Sequence, residues 1–562
     1  MKRIQFFTLF CLLIILPISM VTADMGVTWI RTGVVLETEQ KNGIESEINV
    51  ATMSNGSTHT LGEAPTIQWL DAHRVLLQFA WQPNQNYQFR LNDTEIAATS
   101  PLKPEPYLIR TVELDGLLSL MENLRQPAKP TAIALGSGNT ANTEKLAVAT
   151  DSGHLAILQP ITGETLWKTR ISEGYVRRVA FSPDNALLYV GEQASDGFIY
   201  CYNLTNDTPT LRWKYRTADD IETSTPSDPG SVYAWVSYPG QSRMQTLTNG
   251  DLLVAGVHSW TENDTPRKKS QLYRFDSKTG NVTWKWPHDS TVSRIIRWFD
   301  ASADGETLAL VTDAGHNLQG NTANGNGKLV VLNAKDGTEK WSAAIEPLTP
   351  YFSQVTFWRG VGVSPDGKFI NVTTDDGRAF IFDVNNPEPI WSENLTTPLE
   401  VSGIPIVATS GTIDATDAAA LFVTGDTYIP YHLRKGAQRP AGAHPNAMTL
   451  FAYSWTGEKM WQWQLENMPQ GLRIDTKDRY ALLSVSKRTQ DPNESLHGVS
   501  MFDLTAEGSG LSKYLYTYRT EGQLPYDTLA ISTDGALIVI VEVPIAMPDE
   551  TVRGKNRVHV LY

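Results

Sequence analysis

A short recurring unit constrains the fold of this chain more than any other feature of its sequence. The unit is an apolar segment, a turn that contains glycine, and a second short segment that ends in tryptophan four residues after the glycine. A turn glycine accepts positive φ and side chains alternate along a strand, so this spacing puts every tryptophan on the same side of its hairpin. Such repetition indicates an array of similar β-sheets. Four copies have this form, at 155–167, 272–284, 330–341 and 450–461.

Three further copies vary the unit. Two of them have proline in the place of the glycine, and a third ends in tyrosine. The resulting aromatic anchors are spaced at roughly the length of a four-stranded blade or somewhat more, which predicts insertions in the longer intervals. Each aromatic side chain is expected to fill the same gap between neighbouring sheets as core packing. The seven anchors are Trp167, Trp213, Trp284, Trp341, Trp391, Trp461 and Tyr514.

A second motif, Ser-x-Asp followed by Gly or Asn, occurs between the copies, at 182–185, 302–305, 364–367 and 532–535. Each occurrence follows one apolar strand and precedes another. Such residues favour tight turns, so each motif predicts a hairpin. The aspartates could also be taken for calcium ligands, but with one acid per turn and no clustering the turn interpretation is favoured.

The two motifs together predict units of four strands, named a to d from the axis outward. The Ser-x-Asp turn joins a to b, and the Gly turn joins c to d. Repetition around an axis leaves only short, protected sheet edges, so the predicted fold is an all-β propeller of seven or eight four-stranded blades over residues 130–562. The segment 27–32 resembles a fourth strand, and it is predicted to close the ring.

The part of the protein before residue 130 does not fit the repeat. Residues 1–23 are predicted to be a signal peptide and 24–112 an N-terminal β region whose alternating segments suggest a small β-sandwich. Residues 113–129 contain the one convincing amphipathic helical pattern and are predicted to form a helical linker. The alternative for the first segment is an uncleaved anchor.

These repeats resemble those of a known superfamily. The Thr-Gly-x-x-x-Trp turns at 162–167, 279–284 and 456–461 are similar to those of PQQ-like (quinoprotein-like) propellers, and the Ser-Pro-Asp-Gly hairpins resemble those of WD40 and YVTN-type propellers. The resemblance covers about residues 130–562 and implies architecture rather than function. The adjacent cysteine pair and the calcium ligands of quinoprotein dehydrogenases have no counterpart here, nor does the lipidated cysteine of the propeller lipoprotein of outer-membrane assembly.

Charge and cysteine content limit the environment and the partners. The protein has a net charge of −14, and loss of Lys2 and Arg3 with the signal peptide would make it −16, which argues against nucleic acid or anionic lipid as the main partner. No second apolar stretch is long enough to span a bilayer. Without the signal, Cys201 is the only cysteine left; it lies in an alternating strand pattern and is predicted to be a buried thiol rather than a reactive one. The predicted location is extracytoplasmic: periplasmic, secreted or cell surface.

The usual catalytic signatures are missing from the sequence. Nucleophile-elbow, zinc-protease, haem-attachment and P-loop motifs do not occur. No catalytic residue, metal ligand or cofactor is therefore predicted, and the enzyme question is left open with a preference against catalysis.

Nearly all the long insertions map to b–c or d–a connections, which emerge on one face of a propeller. They are predicted at 217–245, 256–270, 312–327, 425–445, 486–496 and 544–555. Most histidines of the repeat region fall in or beside these loops, among them His258 and His316. Loops on a rigid scaffold concentrate binding, so this face is the predicted binding site, although histidine is also common in loops without a role.

One of these loops is unusual for an acidic protein. The segment 428–444 carries three basic residues and no acid, together with aromatic and proline residues. It is interpreted either as a docking loop for an acidic group or as a solvated insertion. Its predicted binding residues are Tyr428, Tyr431, His432, Arg434, Lys435, Arg439 and His444.

Two main hypotheses of function follow. The first is a secreted, non-enzymatic interaction or scaffold module that binds another extracytoplasmic protein or a surface assembly through the elaborated face. The second is a divergent quinoprotein-type oxidoreductase, or a metal-dependent enzyme or hydrolase, with its site near the axis of the same face. Enzyme action predicts convergent acids or histidines with shifted pKa values, whereas binding predicts exposed aromatic and apolar side chains. A third is a subunit of an extracellular redox or surface-layer assembly.

Overall fold

A computed structural model gives the architecture of the protein, which divides into two compact units, 1–107 and 108–562. Among the described residues, no helix has the length and apolar content needed to cross a membrane. The structure describes residues 26–30, 33–37, 48–54, 57–60, 65–69, 74–79, 85–91, 94–99, 109–114, 129–136, 144–206, 208–223, 237–263, 265–314, 325–430, 433–436, 438–486, 497–547 and 549–562. The predicted signal peptide and most of the predicted helical linker lie outside these residues.

The N-terminal unit contains two four-stranded antiparallel sheets, with strand orders β1-β2-β6-β5 and β4-β3-β7-β8. Val34, Leu36 and Leu77 of one sheet pack with Tyr87 and Phe89 of the other, so the core lies between the sheets. The predicted β-sandwich is confirmed. The strands are β1 (Gly26–Ile30), β2 (Gly33–Glu37), β3 (Ile48–Ser54), β4 (Ser57–Thr60), β5 (Thr66–Trp69), β6 (Arg74–Gln78), β7 (Asn86–Leu91) and β8 (Thr94–Thr99).

The second unit is a β-propeller of eight antiparallel blades, which decides between the seven and eight blades left open by the sequence. The first four blades are β10 (Pro130–Gly136), β11 (Lys145–Thr150), β12 (His154–Leu158) and β13 (Thr165–Arg170); β14 (Tyr175–Phe181), β15 (Leu187–Gln193), β16 (Phe198–Asn203) and β17 (Thr210–Arg216); β18 (Gly240–Thr246), β19 (Leu252–Glu262), β20 (Thr265–Phe275) and β21 (Val282–Trp286); and β22 (Ile296–Ala301), β23 (Thr307–Thr312), β24 (Gly327–Asn333) and β25 (Glu339–Ile345).

Blade 6 has an additional hairpin strand, and blade 8 takes its outer strand from before the ring. The last four blades are β26 (Val361–Val363), β27 (Phe369–Thr373), β28 (Arg378–Asp383) and β29 (Pro389–Asn394); β30 (Leu399–Val401), β31 (Ile404–Ala415), β32 (Ala420–Tyr428), β33 (Thr449–Tyr453) and β34 (Lys459–Gln464); β35 (Pro469–Ile474), β36 (Tyr480–Val485), β37 (His497–Asp503) and β38 (Tyr514–Thr520); and β39 (Leu529–Ile531), β40 (Ile538–Glu542), β43 (Arg557–Leu561) and β9 (Ile109–Glu113). Outside the blades are β41 (Ile545–Ala546), β42 (Val552–Arg553) and the short helices α1 (Ala218–Ile221) and α2 (Gly510–Lys513).

The ring is closed by β9, which pairs antiparallel with the C-terminal strand β43, Val112 opposite Val558. The prediction that residues 27–32 close the ring is wrong: Gly26–Ile30 pairs with Gly33–Glu37 in the N-terminal unit. The segment 27–32 has a Trp-centred pattern like that of an outer strand, but β9 has no tryptophan. The similarity of local sequence therefore pointed to the wrong strand.

The hydrophobic core lies between neighbouring blades rather than within a single sheet. Alternate residues of one strand face opposite neighbours: Leu252 and Val254 pack with blade 2, whereas Leu253 and Ala255 pack with blade 4. Second strands are buried on both faces for this reason, as in β15, where every residue is buried. Outer strands such as β13 alternate between half-buried and exposed residues. Burial is thus highest in the second strands, lower in the inner strands that face the axis, and lowest in the outer strands.

Tryptophans of the outer strands pack against the turn of the next blade. A methyl group added at Gly337 would lie 2.7 Å from the ring of Trp284, and one added at Gly280 would lie 2.4 Å from Trp213. The indole Nε1 of Trp284 donates to the carbonyl of Ala334 at 3.1 Å. Because this contact is repeated between blades, the glycine-to-tryptophan spacing fixes how each blade meets the next. The predicted packing role of these aromatics is confirmed.

The Ser-x-Asp motifs are used within their own turns. In all four motifs the serine Oγ donates a hydrogen bond to the aspartate carboxylate, at 2.5–2.7 Å. The same Oγ accepts a hydrogen bond from the backbone N–H at the start of strand b. Their carboxylates are therefore occupied by turn contacts, which favours the turn interpretation over calcium. The predicted loop at 256–270 is instead an extension of the hairpin β19–β20, paired as far as Glu262 and Thr265. Cys201 is buried, as predicted.

The blade-to-blade contact can be tested with two glycines that share one backbone conformation. Gly337 and Gly403 both have φ of 74°, but the nearest atom to an added methyl group is 2.7 Å away at Gly337 and 4.0 Å away at Gly403. We expect Gly337→Ala to lower the free energy of unfolding by about 1–3 kcal/mol more than Gly403→Ala, because only the former also crowds Trp284. Urea unfolding of both variants measures this difference. Equal losses would show that the turn contact does not hold the blades together.

Ring closure gives a second prediction. We expect a protein that begins at residue 108 to fold cooperatively, since it retains β9. A protein that begins at residue 115 lacks this strand and leaves β43 unpaired, so we expect it to lose the sharp thermal transition and to aggregate through the open edge. Circular dichroism melts and size-exclusion chromatography compare the two. Equal behaviour of the two proteins would contradict the closure by β9.

Candidate functional site: the axial channel mouth

The described members of the predicted binding set belong to two blades, His258 to blade 3 and the rest to the loop of blade 6. His258 is buried, and its two ring nitrogens each lie 3.0 Å from a backbone carbonyl oxygen, of Ile221 and Ser237. The ring stacks on Trp260 with centroids 4.3 Å apart, and burial lowers the pKa of His258. These contacts give His258 a part in holding the base of the long hairpin. A binding role for it stays a prediction.

The basic loop of blade 6 shows two kinds of residue. His444 is buried; its Nε2 donates to the Thr397 carbonyl at 2.9 Å and its Nδ1 accepts from the Asn446 backbone N–H. Tyr428 is half-buried and donates to the Asp375 carbonyl at 3.1 Å. These two side chains anchor the loop. Arg434, Lys435 and Arg439 are exposed, whereas Tyr431, His432 and His316 lie outside the described residues.

The inner strands of the eight blades surround a channel, and one end of it opens into a cavity of about 530 Å³. The lining residues come from the beginnings of inner strands and the ends of second strands. In an antiparallel blade both points lie at the face that receives the b–c and d–a connections, which we call the mouth face. The opposite face, with the Ser-x-Asp and Gly turns, is the turn face. The charged and aromatic residues at the mouth include Arg177, Arg178, Arg297, Trp298, Trp358, Arg359 and Tyr526.

Arginine and aromatic side chains alternate around this cavity. The indole of Trp298 has three guanidinium groups around it, those of Arg243 at 4.2 Å, Arg359 at 4.9 Å and Arg178 at 5.8 Å from its centroid. Arg359 also lies 3.9 Å from the centroid of Tyr526. Cation–π contacts of this kind stabilise closely spaced arginines and fix the planes of their guanidinium groups.

Asp527 is the acid shared by this group of arginines. Its carboxylate pairs with Arg473, lies 2.7 Å from Nη2 of Arg359 and 3.8 Å from Nη1 of Arg178. Its backbone has φ of 66°, a conformation that is uncommon for residues other than glycine and that often marks functional positions. Asp527 N–H donates to the Gln470 carbonyl. The turn 525–527 therefore presents Tyr526 to the mouth cavity and the carboxylate of Asp527 to a small adjoining cavity.

Arg359 is the most buried arginine of the mouth. Its side chain is only 3% exposed. Its backbone N–H donates to the Gly411 carbonyl at 2.8 Å, which fixes the segment before β26. The contact of Nη2 with Asp527 lacks the alignment of a hydrogen bond, and Nε and Nη1 have no hydrogen-bond partner among the described residues. Burial lowers the pKa of Arg359 well below its usual value.

The channel is electropositive in an acidic protein. Two smaller cavities of about 70 Å³ adjoin the mouth cavity and share Trp298 with it. Seven basic side chains line the three cavities: Lys129, Arg177, Arg178, Arg243, Arg297, Arg359 and Arg473. Four acids accompany them: Asp151, Asp300, Asp414 and Asp527. Field lines are focused in such clefts, so the mouth attracts anions although the protein as a whole carries −14.

Two acids lie deeper in the channel. Burial, reinforced by the nearby carboxylate of Asp300, raises the pKa of Asp414 to about 7. The Oδ1 of Asp414 accepts the N–H of Ala415 at 3.0 Å. Burial also raises the pKa of Asp300, which receives the Val363 N–H at 2.9 Å. The floor of the channel therefore discourages a second negative charge, whereas its mouth favours one.

A serine–histidine pair borders the mouth, and the second ring nitrogen of the histidine, Nε2 of His497, has no hydrogen-bond partner among the described residues. Ser486 Oγ and His497 Nδ1 are 2.8 Å apart, and the same Oγ accepts the Leu524 N–H at 3.0 Å. Ser486 is buried and is held by these two contacts, one within blade 7 and one to the connection between blades 7 and 8. Burial lowers the pKa of His497. Among the described residues, no group of three or more His, Cys, Asp or Glu side chains has the geometry of a metal site.

Comparison with known proteins agrees with this architecture. The family model described as outer membrane protein assembly factor BamB matches residues 151–407, which include most of blades 1 to 5. The repeat is that of a PQQ-like β-propeller. None of the curated proteins compared with this sequence matches it significantly.

Two solved structures with low similarity are a crystal structure of Sqt1 from Saccharomyces cerevisiae and a structure of the Dos1 propeller. The first has 9% identity and a TM-score of 0.47, and the alignment covers 77% of this protein and 95% of Sqt1. The second has 11% identity and a TM-score of 0.37, with 77% of this protein and 78% of the Dos1 propeller covered.

The predicted face agrees with the location of the cavity, but the arginines at its centre were missed. Four inner strands carry arginine: β14 has Arg177 and Arg178, β18 has Arg243, β22 has Arg297, and β35 has Arg473. The recurrence of arginine in several inner strands was a usable signal, because inner strands meet at the axis of a propeller.

The raised pKa of Asp414 predicts a pH-dependent stability effect. Between about pH 4 and pH 7 the folded protein holds a proton on Asp414 that the unfolded protein has released, so this group lowers stability as pH rises through that window. We compare the free energy of unfolding of Asp414→Asn with that of the parent protein. We expect the difference to shift in favour of the variant by about 1 kcal/mol or more between pH 5 and pH 8. Urea unfolding at the two pH values measures the gain.

A suitable control is Asp276→Asn in an exposed turn. Hydrogen bonds from Thr279 lower the pKa of Asp276, so its charged form stabilises the fold above the unfolded pKa. This variant should lose stability at both pH values and gain nothing with rising pH. If Asp414→Asn behaves in the same way, the carboxyl of Asp414 is ionised throughout and the account of the channel floor is wrong.

Proposed function

We propose that this protein is a non-catalytic interaction module outside the cytoplasm that binds a partner protein at the mouth of its axial channel. The observation that carries the proposal is the pair of exposed aromatic side chains at an arginine-lined cavity. Trp358 is 53% exposed and Tyr526 38% exposed, and both border Arg359. Aromatic residues and arginine dominate the binding energy of protein interfaces, especially around a pocket.

The mouth is preformed, which supports binding without a large rearrangement. Trp358 lies against Gly411 in the bulged strand β31, where an added methyl group would be 2.8 Å from its Cβ. Tyr526 is held in place by the cation–π contact with Arg359. Side chains that are fixed before binding lose little conformational entropy on association, so they favour affinity.

The mouth face also offers more surface than the cavity itself. The extended hairpin β19–β20 continues beyond its blade on this face and carries Arg267 and Lys269, which pair with Glu262 and Glu222. The exposed Arg434 and Lys435 of the blade 6 loop belong to the same face because they lie in a b–c connection. A partner that covers the mouth would meet these elements at its rim.

Two observations support a location outside the cytoplasm. The N-terminus has the three parts of a secretory signal. The family description that matches residues 151–407 names outer membrane protein assembly. The proposed secretion of the protein rests on these two features.

Site-specific photo-crosslinking tests the proposal. We expect a photoreactive amino acid at position 358 to give a discrete protein adduct in the protein's own host. The same residue at position 511 should give none, because Leu511 is 72% exposed but lies in a c–d connection on the turn face. Denaturing gels and mass spectrometry of the adduct provide the readout. Adducts at 511 but not at 358, or at neither position, would contradict binding at the mouth.

A further inference from the structure

We infer that Arg359 binds a single carboxylate of the partner, from an acidic side chain or from the partner's carboxyl terminus, which enters the mouth cavity beside Trp358 and Tyr526. This inference rests on the proposed function and adds the chemistry of recognition to it.

The first argument is the pairing of Arg359. A guanidinium has five N–H donors, and those of Nε and Nη1 have no acceptor among the described residues although the side chain is 3% exposed. Buried polar groups are normally hydrogen-bonded, so an unsatisfied guanidinium in a cavity wall indicates a missing acceptor. A carboxylate is an acceptor whose geometry matches this group.

The second argument is the charge balance around Asp527. Three guanidinium groups, those of Arg178, Arg359 and Arg473, lie within 4 Å of this one carboxylate. Arg177 adds a further positive charge to the wall of the same cavity. The group around Asp527 therefore carries more positive than negative charge. One further carboxylate would compensate part of this excess positive charge. Because the position is desolvated, its attraction to the guanidinium groups would be strong.

The third argument selects the size and charge of the ligand. The adjoining inner cavity holds only about 70 Å³, and Asp300 and Asp414 accompany the arginines in its wall, so a bulky polyanion would not fit there. The mouth cavity has about 530 Å³ and includes the apolar side chains of Ile295 and Leu524. A single carboxylate with apolar neighbours fits this arrangement better than a phosphate-rich ligand. An acidic side chain or the last residue of a protein has this form.

Three small probes test the inference with the full-length protein. N-acetyl-glutamate α-amide represents an acidic side chain, N-acetyl-leucine represents a free carboxyl terminus, and N-acetyl-glutamine amide is the neutral match. Saturation-transfer NMR titrations measure their dissociation constants. We expect at least one carboxylate probe to bind in the millimolar range and the neutral probe to bind at least tenfold more weakly. The stronger carboxylate probe identifies the source of the carboxylate.

Arginine variants assign the binding to the mouth. Arg359→Gln should weaken the carboxylate probe about tenfold or more, and Arg177→Gln should weaken it severalfold. The matched control is Arg479→Gln, which changes an arginine at an a–b turn on the turn face and should leave binding unchanged. Circular dichroism melts verify that the variants are folded. If Arg359→Gln does not fold, the comparison of Arg177→Gln with Arg479→Gln decides the question.

The inference is overturned by any of three results: equal binding of the neutral probe, no effect of the folded mouth variants, or displacement of the carboxylate probe by an equal concentration of inorganic phosphate. These outcomes are distinct from failure of the proposed function. A crosslink at position 358 together with indifference to the arginine variants would leave the interaction module standing and remove its carboxylate recognition. Carboxylate binding without a crosslink would leave carboxylate recognition at the mouth standing and would remove the interaction module.

Discussion

The contact between the tryptophan of one blade and the c–d turn of the next is the interaction on which the rest of the structure depends. It is repeated at Trp213 with Gly280, Trp284 with Gly337 and Trp391 with Gly457, each time with a positive φ at the glycine. The glycine lets the turn approach the indole face, and the indole fills the wedge between two sheets. At the closing blade Val112 of β9 takes the place of the tryptophan and lies against Gly163. Repetition of this contact arranges the sheets in a ring, and the axial channel is the space that their inner strands enclose.

The channel explains how an acidic protein acquires a basic site. Arg178, Arg243, Trp298, Arg359 and Arg473 are some 55–115 residues apart in the sequence, yet their guanidinium and indole groups lie together because each belongs to, or directly precedes, an inner strand. Their mutual repulsion is offset by Asp527, Asp300 and the aromatic rings. The same arrangement leaves the most buried of them, Arg359, with unsatisfied donors. The arrangement of the blades around an axis thus determines both the packing between blades and the set of charged groups at the site.

The sequence was sufficient for features that depend on a few neighbouring residues. The Gly-x-x-x-Trp and Ser-x-Asp spacings predicted the hairpins, the repeated blades and the buried aromatics, since turn chemistry and strand alternation act locally. The bias of insertions toward one face also indicated where the cavity opens. These features were accessible because, in an antiparallel blade, the order of the strands determines on which face each connection emerges.

Features that depend on closure of the ring were not accessible in this way. Ile109–Glu113 carries no Gly-x-x-x-Trp marker, so its pairing with β43 could not be recognised from pattern. The arginine site is formed by residues far apart in sequence, and its unsatisfied member, Arg359, lies in a connection rather than in a strand. The loop histidines drew attention because histidine often binds ligands, whereas His258 and His444 contact backbone carbonyls that hold their loops.

The central claim is that the arginine-lined mouth, and no other part of the ring, receives the partner. Hydrogen–deuterium exchange of the protein alone and in complex with the partner isolated from its host measures this most directly. The account predicts slower exchange at the beginnings of β14 and β35 and in the segments 356–360 and 523–527, with no change at the Ser-x-Asp turns. Protection confined to those turns or to the outer strands would contradict it.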